Sequence, residues 1–171
     1  MASQVKHSFS IRRFHSDDRI ALKQCFIQLQ EHEREIVSHR LPGEAIADRY
    51  MESLIQKVRQ GKAEIFVAVY ENKPAGFVSV LLSEKLDEEL NENIDVAYIS
   101  DIVVNQELRR MGIAQALIKR AEEFAIAHGA TYLSAHVLAG NSTGRALYAK
   151  AGFDEYELFL LKPLTGADKE S

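Results

Sequence analysis

Tryptophan is absent, Cys25 is the single cysteine, and only three prolines interrupt the chain. One cysteine excludes an intramolecular disulfide and any cysteine-rich zinc site, and its place in a helical pattern suits a small buried thiol. The six histidines lack the close pairing of a helical zinc site, so no metal is expected. No apolar run approaches the length of a membrane span, and the opening MASQVKHSFS lacks the apolar core of a signal peptide. These absences predict a cytoplasmic protein with no membrane partner. A basic excess is missing too: the formal net charge is −4, and lysines and arginines are scattered. That field does not draw in nucleic acid, and no nucleic-acid partner is expected.

What is present is enough for a core. With 171 residues and 46% hydrophobic content the chain suits a single domain, placed here at residues 8–164, with 1–7 and 165–171 as flexible tails. No internal repeat or low-complexity segment divides it.

Taken in order, Phe9, Ile11 and Phe14 predict a first strand from about Ser8 to Arg13. Ser16 or Asp17 offers a helix N-cap, followed by Ile20, Leu22, Cys25, Phe26, Leu29 and Ile36 at roughly helical spacing up to the segment before Pro42. The later part, Glu31 to Glu35, is dense in charge, which reads as a solvated face or as an acceptor-facing segment. Pro42-Gly43 breaks the chain. Ala45 to Gln60 then forms a second helix with Ile46, Tyr50, Leu54, Ile55 and Val58 on its apolar side. Glu64 to Tyr70 and Ala75 to Leu82 read as strands joined through the turn residues Glu71 to Pro74, an antiparallel hairpin that makes the sheet mixed. Ser83 to Asp95 carries six carboxylates against Lys85 and is expected to be an exposed loop, with attraction of a cationic amine acceptor as the other reading. Thr131 to Leu138 and Phe159 to Lys162 are expected as further strands, the latter the last element.

The most informative stretch runs from Tyr98 to His128. Tyr98 to Val104 is β-branched and apolar apart from Ser100 and Asp101, as in a strand buried on both faces. From Ile113 the period lengthens: Leu117, Ile118, Ala121, Phe124 and Ala125 share one helical face, and Gly129 can end the helix. Between them lies Arg109-Arg110-Met111-Gly112-Ile113-Ala114. Two cations, a position without a side chain and the unpaired N–H groups of a helix start together favour a phosphate. This is not the P-loop of nucleotide hydrolases, since neither the lysine nor the magnesium-binding hydroxyl follows Gly112. Nor is it a dinucleotide fingerprint, which needs three spaced glycines. A second stretch, Asn141 to Phe153, combines an N-cap, a short helix and a glycine stop, with Leu147 and Phe153 as anchors.

Arg109-x-x-Gly112-x-Ala114 resembles the Q/R-x-x-G-x-G/A signature of the GNAT superfamily (Gcn5-related N-acetyltransferases). Asn141, Tyr148 and Gly152-Phe153 resemble its second signature, N-x-x-A-x-x-L-Y-x-x-x-G-F, with Gly144 in place of the usual alanine. The resemblance extends from about Phe9 to Leu164. It implies an α/β (α+β) fold with a mixed, mostly antiparallel central sheet flanked by helices. It also implies an acetyl-CoA-dependent N-acetyltransferase acting on a primary amine of a small molecule or peptide, in a ternary complex. By the same match, Arg109, Arg110, Met111, Gly112, Ile113, Ala114 and Gln115 would bind the pyrophosphate of acetyl-CoA. The main chain of Ile102, Val103 and Val104 would bind the pantetheine arm, with a donor near Val104 for the oxyanion, and Asn141 would hold the arm. Tyr148 matches the tyrosine that protonates the departing thiolate, a role a phenol can fill.

The general base is less evident, because Ser100 stands where some relatives carry a glutamate. Asp101 is a candidate, directly or through water, since a carboxylate in so apolar a strand must be paired or functional. His136 in the following strand and direct attack by an already neutral amine are the alternatives. An acyl-CoA-binding sensor or regulatory module without turnover is the other reading of the whole chain, and a homodimer, common among relatives, is left open.

Overall fold

The computed structural model describes residues 8–85 and 94–164, the side chains of 83–85 excepted. Its elements in chain order are β1 (Phe9–Arg13), α1 (Arg19–Ile36), α2 (Gly43–Arg59), β2 (Ala63–Tyr70), β3 (Lys73–Lys85), β4 (Asp95–Val104), α3 (Ile113–Ala127), β5 (Tyr132–Ala135) and α4 (Ser142–Lys150). The strands form one sheet in sequence order, antiparallel except where β5 runs parallel to β4.

Strand alternation divides the interior into two layers. Phe66, Val78, Val80, Ala97 and Ile99 face α3, meeting Ile113, Leu117, Ile118 and Ala121. Ile65, Val67, Phe77 and Val103 face α1 and α2, meeting Leu22, Phe26, Met51 and Leu54. α1, α2 and α3 therefore each bury one apolar stripe against the sheet. Cys25 is buried in the second layer, where desolvation pushes its thiol up to about 11.

The β2–β3 hairpin closes with Glu71 and Asn72 at φ of 48° and 62°, a two-residue turn with the twist a hairpin requires. On the other side of β3, a Cβ on Gly76 would lie 2.4 Å from the Val103 carbonyl oxygen. Only glycine lets β3 and β4 approach so closely.

Four expectations are corrected. The entry to α1 is capped neither by Ser16 nor by Asp17. His15 accepts from the Asp17 N–H while Asp18 accepts from the His15 N–H, around a short 3₁₀ turn. Asp18 is itself clamped by Arg12 through bonds of 2.6 and 2.8 Å, so the cap doubles as the tie between β1 and α1. Of the expected acidic loop, Ser83 to Lys85 instead continue β3 and Asp95 begins β4, while residues 86–93 lie outside the described residues. β5 holds only Tyr132 to Ala135 of the expected Thr131 to Leu138, because β4 bends away from it. Finally, no strand forms at Phe159 to Lys162. Leu158, Phe159, Leu160 and Leu161 are 71–85% exposed, and the segment has no ladder partner among the described residues. β-propensity is realised only when an edge is there to pair with. The expected tails, 1–7 and 165–171, also lie outside the described residues.

Candidate active site

The bend in β4 organises the site. Ser79 pairs with Asp101 and Val80 with Ile99, which leaves Ser100 as an extra residue in β4. Such a bulge reverses the alternation of the strand beyond it and increases its bend. Before it, Ala97 and Ile99 face α3; after it, Asp101 and Val103 point to the α1–α2 side instead. Pairing of β4 with β5 stops at this point, at Ile99 and Ala135. From Ser100 to Val104 the edge of β4 away from β3 has no strand neighbour among the described residues.

The Asn105 N–H donates to Ala75 of β3, and the Val103 carbonyl faces Gly76. Main-chain groups alternate along a strand, so those of Ile102 and Val104 point to the open side. The Val104 carbonyl there accepts from Arg109 Nε at 3.3 Å.

Below this opening lies the loop that leads into α3. Arg110 and Gly112 both adopt left-handed backbone, at φ of 65° and 82°, on either side of Met111. Gly112 occupies the N-cap without a side-chain capping bond, and the first helical bond comes from Ala116 N–H to Gly112 O. The N–H groups of Ile113, Ala114 and Gln115 are thus the uncapped donors of the helix start. A Cβ on Gly112 would meet nothing within 4 Å, so the space beside the N-cap itself is open. Arg109 and Arg110 are exposed beside it. The uncapped donors and the two positive charges together suit an anionic group such as a diphosphate.

Asp101 lies at the other end of the opening. Its Oδ2 accepts from Tyr50 OH at 2.7 Å, Ser79 Oγ at 2.6 Å and Ser100 Oγ at 2.9 Å, with the two serine oxygens 2.7 Å apart. The residue is only 6% exposed. Burial raises its proton affinity, against which the hydroxyls of Ser79, Tyr50 and Ser100 and the charge of Lys57 work in the opposite direction. A cavity of about 40 Å³ beside Ser100 is lined by Tyr50, Ser53, Leu54, Lys57 and Leu81.

α4 brings the tyrosine. Asn141 Oδ1 caps the helix by accepting from Gly144 N–H at 2.9 Å. A Cβ at residue 144 would sit 2.8 Å from Asn141 Nδ2, so the glycine and the cap fit together. Tyr148 packs edge-to-face on Phe153 at 5.2 Å and is half-buried. Burial first, then the nearby Tyr98, Asp101 and Glu33, push its phenol well above the ordinary value, so it holds its proton at neutral pH. His136 lies at the rim, its Nδ1 3.1 Å from the Tyr98 hydroxyl.

Ser100, Asp101, Ile102 and Val104 thus lie together on the bent part of β4, with Tyr148 close enough to Asp101 to feel its charge. The 109–115 loop reaches β4 through Arg109 Nε on the Val104 carbonyl, and Asn141 caps α4 seven residues before Tyr148. Tyr50 and Ser79 were legible in the sequence only as helix and strand residues. The available signal was indirect: a buried aspartate needs donors, and a tyrosine on an apolar helix stripe needs an acceptor. A surface hollow where β1 meets α1, lined by Arg12, Arg13, Phe14, His15, Asp17 and Asp18, is the larger one, but Arg12 and Asp18 already satisfy each other there.

No described helix is long and apolar enough to cross a membrane, and no described group of histidines, cysteines and carboxylates could hold a metal ion. Residues 26–153 match the model of the acetyltransferase (GNAT) family. A segment of 59 residues is 36% identical to the chloroplastic GCN5-related N-acetyltransferase 7 of Arabidopsis thaliana, covering 34% of this chain and 22% of that protein. The chain therefore matches less than a quarter of that relative's length. Among solved structures, a tetramutant of the BH1408 protein of Bacillus halodurans superimposes with a TM-score of 0.80 at 19% identity, covering 91% of this chain and 99% of that one. A GCN5-related N-acetyltransferase from Ralstonia eutropha JMP134 gives 0.71 at 21% identity, covering 93% and 100%. These two likenesses concern the fold.

Proposed function

The chain belongs to the acetyltransferase (GNAT) family, and from that premise we propose that it transfers an acetyl group from acetyl-CoA to a primary amine of a small molecule or peptide, by direct attack in a ternary complex. The observation that carries this reading is the parting of β4 from β5 after Ile99, between an uncapped helix start and Tyr148. The loop from Arg109 to Gln115 would hold the diphosphate on main-chain N–H groups. The open edge at Ile102 and Val104 would bind the pantetheine arm, and the Asn141 amide would flank it.

In this reaction the nitrogen lone pair attacks the thioester carbonyl carbon, and a main-chain N–H near Val104 would stabilise the developing oxyanion. The carbon–sulfur bond then breaks. Tyr148 would supply the proton to the departing thiolate, a role open to a phenol because it is protonated at neutral pH. The proton released by nitrogen would pass through the Ser100 hydroxyl to Asp101, whose burial favours its neutral form. At 6% exposure Asp101 takes protons through the hydroxyls that surround it and does not meet the amine itself.

An assay of free CoA thiol over a panel of amines, amino acids, aminoglycosides and peptides tests the proposal. Thiol release that depends on an amine supports it. Tight acetyl-CoA binding with no release on any amine would instead favour a sensor or regulatory module.

A further inference from the structure

Glu33 occupies a position that helix geometry reserves for apolar residues. On α1 the buried stripe runs through Leu22, Cys25, Phe26 and Gln30, and Glu33 follows Phe26 by seven residues, two turns along the same face. Phe26 itself stacks on Tyr50 at 4.3 Å, and the Tyr50 hydroxyl reaches Asp101, so this face of α1 looks onto the bent part of β4. One turn beyond Glu33, Ile36 lies so close to Gly140 that a Cβ there would be 2.7 Å from its Cγ2. The end of α1 thus abuts the loop that leads into Asn141 and α4.

The other charges of this segment are otherwise engaged. Glu31 accepts from the Gly43 N–H at 2.6 Å and so caps α2, and it pairs with Arg34. Glu35 is exposed. Glu33 alone is turned inward, its side chain 21% exposed, paired at 2.9 Å with Arg40. Gln30 Nε2 bonded to the Leu41 carbonyl and Arg34 Nε bonded to that of Arg40 hold the Arg40 segment against α1. Burial, followed by the charge of Asp101, raises the proton affinity of Glu33, while Arg40 and His32 lower it.

A carboxylate held this way costs desolvation energy, and beyond its charge acting on Tyr148 no step of the transfer chemistry assigned above requires it. The reacting nitrogen must be neutral to attack, so a carboxylate gains most by binding a group that stays cationic throughout. We infer that Glu33 is the acceptor-recognition residue of this site, binding a second positive charge on the acceptor, so that the substrate class is a diamine or other dication. In the absence of acceptor Arg40 fills that place, and the acceptor's cation displaces it. This inference rests on the acyl-transfer reading of the site.

The test compares putrescine with n-butylamine, equal in carbon number but unequal in charge, in wild type and Glu33→Gln. Wild type is expected to show a KM for putrescine about tenfold or more below that for n-butylamine, as a charge-assisted contact supplies. Glu33→Gln is expected to erase that gap by raising the KM for putrescine towards that for n-butylamine, with affinity for acetyl-CoA unchanged. Arg40→Gln removes the competing cation and is expected to lower the KM for putrescine, a change opposite to that of structural damage. A gap that survives in Glu33→Gln, or no gap in wild type, overturns the assignment. Calorimetric binding of putrescine in the presence of CoA separates the two proposals. Glu33-dependent binding without turnover sustains this one while the acyl-transfer reading fails; turnover without discrimination removes this one alone.

Discussion

The Tyr50 hydroxyl donates to Asp101 Oδ2 at 2.7 Å, across 51 residues of sequence, and ties α2 to the bend of β4. Removing one donor from a buried carboxylate leaves its remaining charge less compensated, at a cost of about 1–3 kcal/mol. Tyr50→Phe keeps the ring stacked on Phe26 and is therefore expected to lose stability by that amount in urea unfolding. An unfolding midpoint equal to that of wild type would show that the other two hydroxyls suffice.

Tyr148 is the proposed proton donor, and burial, followed by the nearby Tyr98, Asp101 and Glu33, raises its phenol above the ordinary value. Tyr148→Phe is expected to lower kcat on the order of a hundredfold, with acetyl-CoA affinity unchanged by equilibrium titration. Undiminished turnover would remove Tyr148 as the acid.

Gly112 combines left-handed backbone with open space in front of it, and two substitutions separate these properties. Gly112→Ala is expected to cost about 1–2 kcal/mol of stability through backbone strain. Gly112→Glu adds bulk and negative charge where the diphosphate would rest, and is expected to abolish acetyl-CoA binding. Retained affinity in the glutamate variant would contradict the loop assignment.

The Arg12–Asp18 clamp predicts an acid sensitivity. The Arg12 hydrogen bonds, outweighing the opposing effect of burial, hold the Asp18 carboxyl below its ordinary value. The unfolded chain therefore takes up this proton first. The stability contributed is fully present above the ordinary carboxyl value near pH ~4 and is lost as pH falls through the lower folded value. Thermal melting of Asp18→Asn is expected to lie below that of wild type at neutral pH and to approach it below about pH 3. A constant difference across that range would mean the clamp does not titrate as described.

Gly76→Ala is expected to destabilise by about 1–3 kcal/mol or more, since its Cβ would meet the Val103 carbonyl oxygen at 2.4 Å. The same shift would displace the open edge of β4, so acetyl-CoA affinity is expected to fall with stability. Wild-type values of both would mean that β3 relaxes without moving β4.

Periodicity and turn chemistry determined much of this protein at the level of the sequence. Apolar residues every three or four positions specify α1, α2 and α3; Glu71 and Asn72 specify the hairpin; the Arg109 to Ala114 and Asn141 to Phe153 stretches mark the family and the loop before α3. These are local properties, set by residues adjacent along the chain. The bulge at Ser100 is not. It depends on the register between β3 and β4, and it places Asp101 on the face of Tyr50 where simple alternation from Ile99 would place it towards α3. Likewise Glu33 reads as one charge among several until α1 is laid on the sheet, and Phe159 to Lys162 reads as a strand although no edge among the described residues receives it. Side-chain chemistry is written in the sequence, but which groups share a face is decided by strand register and helix docking, because both depend on contacts between distant residues.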